Sequence, residues 1–368
     1  MNRLALSLLL LLTCSAGAFA QGKTENVIFV MTDGLRWQEV FHGAEDTLLT
    51  KENGGVKNVD ALRRAYAPSE SLDTRRTALM PFFWSTLAKQ GQVFGNQDKG
   101  SIAQVTNGKN FSYPGYSETL TGFADPRIDS NGKINNPNVT VLEWLNGKPR
   151  FKGKVAAFGA WDVFPFILNR DRAGFPVNAG FEPLTISKMS PKIELLNQLK
   201  AETPSTWDEE PYDAFTFHTA LEYLKAEKPR VLYISLGETD EWAHGGKYDE
   251  YLTAAHRVDT YLKVLWDTLQ SMPQYKGKTT LIFSPDHGRG DAPTGWRSHG
   301  AGVKGSENIW MAFLGPDTPA LGEVTPNGGR VTQNQIAATL AALLGEDYNG
   351  AVPAAGKPVA GVISPGKK

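Results

Sequence analysis

The sequence predicts an α/β fold, a three-layer α/β/α sandwich around a mostly parallel central β-sheet. Short apolar runs recur along the 368 residues, and each gives way to a polar turn and then to a helical pattern. The runs are continuous rather than alternating, as expected of strands covered by helices on both faces.

In chain order, the first strand is NVIFVM at 26–31. A charged, weakly patterned stretch from 43 to 75 reads as an insertion or surface excursion. Helices are expected at about 81–90, 115–122 and 139–146, followed by a strand, KVAAFGA, at 154–160. Two more helices, at about 192–202 and 212–226, precede the strand RVLYISLG at 230–237. A long helix at about 247–271 leads to the strand TTLIFSP at 279–285, and a helix at about 331–344 closes the pattern. The end is rich in Pro, Gly and Ala, so a partly loose tail is expected over about 350–368. With no internal repeat and no linker, residues 21–368 read as one catalytic domain.

The chain opens with MNRLALSLLLLLTCSAGAFA, where Arg3 precedes an apolar run and Ala18-Phe19-Ala20 offers a cleavage site. This reads as a secretory signal cut after Ala20, which implies a periplasmic or secreted protein. A lipid anchor on Cys14 is disfavoured, because Thr13 stands where a smaller residue is usual. Cys14 is the only cysteine, so the cleaved chain needs no disulfide. A formal charge of −1 gives no nucleic-acid or membrane-surface signature, and no second apolar stretch approaches a membrane span. Nothing in the sequence indicates the oligomeric state.

In open α/β sheets, ligands bind outside the carboxyl ends of the strands. Asp33 follows the first strand. Asp240 follows the third, with His244 four residues on. Asp286 and His287 follow the fourth, and a Gly-rich loop then carries His299. A single Asp after a strand is commonly a turn former or helix cap. Three Asp and three His at one sheet edge, however, crowd like charges that cations must neutralise. Imidazoles with carboxylates and no thiolate suit zinc, and six ligands suffice for two ions with open positions. Such a pair, about 4 Å apart, is the clamp used in phosphoryl transfer. Manganese or iron at one position also tolerates this ligand mixture.

The candidate nucleophile is Ser112 in KNFSYPGYSETLTG, just before Pro114-Gly115 and a short helix ended by Gly122. A hydroxyl at a helix N-terminus meets backbone N–H groups that also receive phosphate. Ser112 as a plain N-cap is the competing reading, and Ser117 and Thr119 are weaker rivals.

Taken together, VIFVMTDGLRW, NFSYPGYSETLTG, GETDEWAHGG, SPDHGRG and RSHG, in this order, resemble the alkaline phosphatase superfamily. Within it, they are most similar to the type I phosphodiesterase and nucleotide pyrophosphatase branch. The likeness runs from about residue 25 to the helix QNQIAATLAALLG. It implies an alkaline phosphatase-like domain with Asp240, His244 and His299 on one zinc and Asp33, Asp286 and His287 on the other. It also implies attack by Ser112 on a phosphate ester, a phosphoseryl intermediate, and its hydrolysis by water. Asn136 would take the place of an Asn that holds a phosphoryl oxygen, and Lys109 and Asn110 are further candidate phosphate contacts.

The expected substrate is a small phosphate ester or nucleotide-like molecule. Ser112 and Pro114 are followed by Gly115 and Tyr116 rather than by the sulfatase arginine, which favours phosphate over sulfate. Monoester and diester stay open. Trp37, Trp161, Trp242 and Trp296 suit a second ester group, whereas Arg36, Arg289 and Arg297 suit a dianionic monoester. Two other functions remain: a catalytically weak metal-binding member acting in ligand capture, and phosphoryl transfer to an alcohol. GAGVKG at 300–305 precedes a strand-like run rather than a helix and is a chance match to a dinucleotide fingerprint. NFS and NVT read as accidental glycosylation sequons.

Overall fold

Asn26–Thr32 (β1) is buried over all seven residues, and its Val and Ile side chains suit a strand enclosed on both faces. It lies inside an eight-stranded sheet in a computed structural model that describes residues 23–364. The expected signal segment and the last four residues of the expected tail lie outside the described residues. The other strands are Gln92–Phe94 (β2), Val155–Gly159 (β3), Val177–Ala179 (β4), Val231–Leu236 (β5), Thr279–Pro285 (β6), Met311–Leu314 (β7) and Gly322–Glu323 (β8). Their order is β8-β2-β7-β6-β1-β5-β3-β4. The five strands from β6 to β4 are parallel, whereas β7 runs antiparallel to β6 and to β2. A separate three-stranded sheet joins Arg330–Thr332, Ile102–Gln104 and Asn308–Ile309.

Two hydrophobic clusters flank the sheet. One gathers Ile28, Val30, Ile234 and Phe283 with residues of the helices Asp213–Glu227 and Tyr248–Ser271. The other gathers Val27, Phe29, Tyr233 and Ile282 with residues of Ser112–Thr121 (α1) and Ile336–Leu343. Alternate residues of β1 and β5 thus face opposite helical layers, as the two-residue period of a strand requires. No helix among the described residues is long and apolar enough to cross a membrane.

Two regions of weak sequence pattern contribute to the core. The stretch 43–75 carries short helices at Lys51–Gly54, Val59–Tyr66 and Leu72–Leu79, the last running past it. Leu48, Leu49 and Val56 within it are buried in the first core cluster. The end of the chain is pinned through Ser364. Val359 and Val362 are buried, the Val359 N–H donates to Thr339 Oγ1 (2.9 Å), and the Gly356 N–H donates to Gly122 O (2.8 Å). Two buried valines three residues apart seat this part of the segment on the helical layer.

Candidate metal centre and nucleophile

The convergence of ligands follows from strand register. Thr32 of β1 is level with Leu236 of β5 and with Pro285 of β6, so three adjacent parallel strands end together. Asp33 continues from β1 and donates its N–H to Leu236 O at 2.8 Å. Asp240 lies in the first turn of Glu238–His244 (α2), which begins just after β5, and Asp286 and His287 continue from β6. Gly34 has φ +58°, and a Cβ there would stand 2.7 Å from Asp240 Oδ1, so the approach of these loops requires glycine. Likewise a Cβ on Gly115 would stand 2.4 Å from Asp286 O, which lets α1 lie directly over the end of β6.

All six Asp and His residues singled out in the sequence meet at this edge. Ligand atoms of Asp33, Asp286 and His287 lie within 4.8 Å of one another, and so do those of Asp240, His287 and His299. His287 stands between the two groups, with Nε2 3.2 Å from Asp33 Oδ1, 3.4 Å from Asp286 Oδ2 and 3.9 Å from Asp240 Oδ1. His244 Nε2 is 3.1 Å from Asp240 Oδ2 and 2.9 Å from His299 Nε2.

The histidine tautomers follow from their partners. His287 Nδ1 faces Gly288 O at 2.9 Å, and His299 Nδ1 faces Asn110 O at 3.2 Å. A carbonyl only accepts, so in both rings Nδ1 carries the proton and donates it, leaving the Nε2 lone pair turned into the site. Burial pushes His287 down to about 4, and burial with the neighbouring His287 pushes His299 down to about 3. Both rings are therefore neutral at ordinary pH, as metal ligands must be.

The carboxylates show the opposite strain. Burial, then the charge of Asp240, raises Asp33 to about 7, and burial with Asp33 and Asp240 raises Asp286 well above the usual carboxylate range. Asp33 Oδ1 and Asp286 Oδ2 are buried without a hydrogen-bond partner. Their other oxygens are held, Asp33 Oδ2 by Tyr116 OH (2.9 Å) and Asp286 Oδ1 by the Gly34 N–H (3.1 Å). Two orphaned buried oxygens beside free imidazole lone pairs form a donor set that fits divalent cations.

Ser112 is the first residue of α1 rather than its cap. The cap position is Phe111, and no side chain caps the helix. Ser112 is 5% exposed and its Oγ lies 3.5 Å from His287 Nε2, so its hydroxyl is aimed at the donor set instead of bracing the helix. Ser117 and Thr119 are turned elsewhere: Asn136 Nδ2 donates to Ser117 Oγ at 3.0 Å, and Thr119 Oγ1 donates to Gly115 O at 2.9 Å. The loop before Ser112 is anchored by Glu118, which is 1% exposed and accepts from the Thr106 N–H, Thr106 Oγ1, the Asn107 N–H and Asn107 Nδ2 at 2.8–3.0 Å. Glu118→Ala is expected to cost about 2–3 kcal/mol in a denaturant titration, because it strands two backbone donors.

The expected substrate contacts divide. Asn136 is fully buried; its Oδ1 accepts from the Asn138 N–H and its Nδ2 is bound to Ser117, so it faces away from the cavity. Asn131, five residues earlier, lines the cavity beside Ser112. Its Oδ1 accepts from the Tyr113 N–H at 3.0 Å, which leaves its NH2 as a donor. Asn110, at φ 56°, donates through Nδ2 to Ser306 Oγ at 3.2 Å and presents its carbonyl to His299. The Lys109 N–H donates to Asn107 Oδ1, and Lys109 does not line the cavity.

That cavity, about 210 Å³, opens over Asp33, Ser112, Asp240, His244 and His299. Tyr116, Trp161 and Phe164 form an aromatic side, and Glu209, Glu210 and Glu241 an acidic one. Among the described residues lining it there is no Lys or Arg. Arg36 is buried against Glu39, Glu45 and Gly290 O, and Arg297 donates to Asn53 O. Arg289 is buried against Trp296 O, Arg297 O and Asp240. Of the four tryptophans raised by the sequence, only Trp161 lines the cavity. Trp296 is enclosed by Tyr248 and Tyr251, Trp37 lies against Phe41 and His42, and Trp242 against Trp207.

A parallel sheet with Asp and His side chains gathered at three strand ends and a serine at a facing helix start defines the class: the alkaline phosphatase superfamily. Within it, the family model for type I phosphodiesterase / nucleotide pyrophosphatase matches residues 54–312, and the chain belongs to that family of phosphoester hydrolases. Among solved structures, wild-type alkaline phosphatase PafA superposes with a TM-score of 0.59 at 12% identity, covering 94% of this chain and 99% of that one. The lipoteichoic acid synthase LtaP from Listeria monocytogenes gives 0.56 at 12% identity, covering 90% and 74%. A 2-O GAG sulfatase gives 0.55 at 13% identity, covering 94% and 76%. These likenesses establish the fold. In sequence, 129 residues are 29% identical to the 2,3-bisphosphoglycerate-independent phosphoglycerate mutase of Haloarcula marismortui, covering 35% of this chain and only 23% of that protein.

Proposed function

We propose that the protein is a metal-dependent phosphodiesterase that acts outside the cytoplasm and works through a phosphoseryl intermediate on Ser112. The observation that carries this reading is the unbraced Ser112 hydroxyl, 3.5 Å from His287 Nε2 within the donor set and open to the cavity. Asp240, His244 and His299 would hold one zinc ion and Asp33, Asp286 and His287 the other. The chemistry two such ions supply there, when bound, is a lowered pKa for an attacking hydroxyl and neutralisation of phosphate charge.

Ser112 Oγ attacks phosphorus in line, the P–O bond to one ester group breaks, that alcohol leaves with the serine proton, and the phosphoryl group, still carrying the other ester, stays on the serine. Water then attacks the same phosphorus, and Ser112 Oγ departs to restore the free hydroxyl. Asn131, fixed by the Tyr113 N–H, offers its NH2 to a phosphoryl oxygen. The preference for a diester rests on charge. A dianionic monoester calls for cationic side chains, and the three arginines that suited one are turned onto other partners. A diester carries one negative charge, and the Trp161–Phe164 side accommodates its second ester group.

The test is a paired assay of an aryl methyl phosphodiester and the matching aryl phosphate monoester on metal-loaded protein, with a chelated control. The diester is expected to turn over with a kcat/KM at least about tenfold higher, and the chelator to remove both activities. Equal or reversed preference would overturn the diester assignment. Two bound ions with no turnover of either ester would favour a ligand-capture role instead.

A further inference from the structure

The two ligand groups differ in charge and exposure, and the difference traces to Arg289. This residue stands two positions after His287 and is 1% exposed. Its Nε donates to Trp296 O and its Nη2 to Arg297 O, both at 2.7 Å, and its Nη1 reaches Asp240 Oδ1. The same Asp240 oxygen lies 3.7 Å from His299 Nε2 and 3.9 Å from His287 Nε2, so it belongs to the donor set. Two backbone carbonyls fix the guanidinium, which cannot swing away without orphaning buried acceptors.

Asp240, His244 and His299 therefore offer a single carboxylate whose charge a buried cation already balances. Asp33, Asp286 and His287 offer two carboxylates whose partners are a phenol and a backbone N–H, with an unpartnered oxygen on each. Exposure runs the same way. The side chains of Asp286 and His287 are 0% exposed, whereas that of His244 is 46% exposed. A dication gains most where unbalanced negative charge is shielded from water, and least where a fixed positive charge competes beside a solvent-open ligand.

We propose that Arg289 is a built-in counter-ion that makes the two metal positions unequal. One ion is held tightly at Asp33–Asp286–His287, and the other weakly and exchangeably at Asp240–His244–His299. Arg289 neutralises Asp240 through an oxygen that also faces His287 and His299, while Oδ2, 3.1 Å from His244 Nε2, stays open to the metal. Arg289 is a positioning residue that acts through Asp240. This inference rests on the two-metal reading above, and activity in the wild type then depends on how far the ambient free metal fills the weaker position.

The test is equilibrium zinc titration of metal-stripped, full-length protein against a chromophoric chelator, which requires no turnover. Wild type is expected to bind two ions in two classes, with dissociation constants at least about tenfold apart. His244→Ala, a change at a half-exposed side chain, is expected to remove the weaker class alone. Arg289→Gln is expected to tighten the weaker class by about tenfold or more and to leave the tighter one within about twofold. Two equal classes in the wild type, or loss of the tighter class in His244→Ala, would overturn the proposal. So would weakening of the second class in a folded Arg289→Gln protein. If that variant does not fold, the wild type and His244→Ala decide. Failure to bind any zinc would instead overturn the two-metal reading itself.

Discussion

Ser112→Ala is expected to lower phosphodiester turnover at least about a thousandfold while metal content stays at the wild-type level. The separation of the two readouts follows from geometry. Ser112 Oγ caps no backbone N–H, and its recorded partner is His287 Nε2 at 3.5 Å, so removing it strands no buried donor. The helix start is fixed independently by Asn131 on the Tyr113 N–H and by Glu118 on the preceding loop. Measuring kcat beside metal content by elemental analysis checks this. A folded, fully loaded variant with wild-type kcat would assign the attack to another oxygen.

Stripping the metal is expected to abolish activity and to give the protein a loss of stability with rising pH that the loaded form lacks. Burial and mutual repulsion raise Asp33 to about 7 and Asp286 well above the usual carboxylate range. A raised carboxyl contributes stability that is complete below its unfolded pKa and is lost as pH rises through its folded pKa. His287 and His299, depressed by burial, act the other way, but only below about 6.5, where an unfolded imidazole binds a proton. From pH 7 upward the raised carboxyls, together with His244 raised by its hydrogen bond to Asp240, dominate, so the metal-free protein should lose stability as pH rises from 7 to 9. Metal binding displaces those same protons, so zinc should stabilise more at pH 9 than at pH 7. Thermal unfolding with zinc and with chelator at the two pH values reads this out. A metal-free protein equally stable at both would mean that the carboxylates are balanced by groups other than a cation.

The convergence of the Asp and His side chains was legible because it obeys a topological rule. Three parallel strands that end level must bring the residues just past their ends together, and β1, β5 and β6 prove to be neighbours in the sheet. The placement of Ser112 at a helix start was legible through the Pro-Gly pair that follows it. Asn131 was not, because a long irregular loop sets its place and its one visible anchor is the N–H of Tyr113. Asn136, the asparagine expected from sequence, has its amide used inside the protein. The arginines were equally opaque. Arg36 and Arg289 are used up by partners within ten residues, Glu39 and Glu45 for one and Trp296 O and Arg297 O for the other, and by one remote acceptor each, Gly290 O and Asp240, which sequence spacing does not reveal. Strands of three residues such as β2 and β4 are too short for periodicity to register, since their pairing is decided by the sheet already in place.

The central claim, a two-step displacement through Ser112, is tested most directly by stereochemistry at phosphorus. A single enantiomer of an aryl methyl phosphorothioate diester would be hydrolysed in heavy-oxygen water by the metal-loaded enzyme, and the configuration of the product assigned. Two successive in-line displacements predict net retention. Net inversion would mean that water attacks the substrate directly, and Ser112 would lose its role as nucleophile.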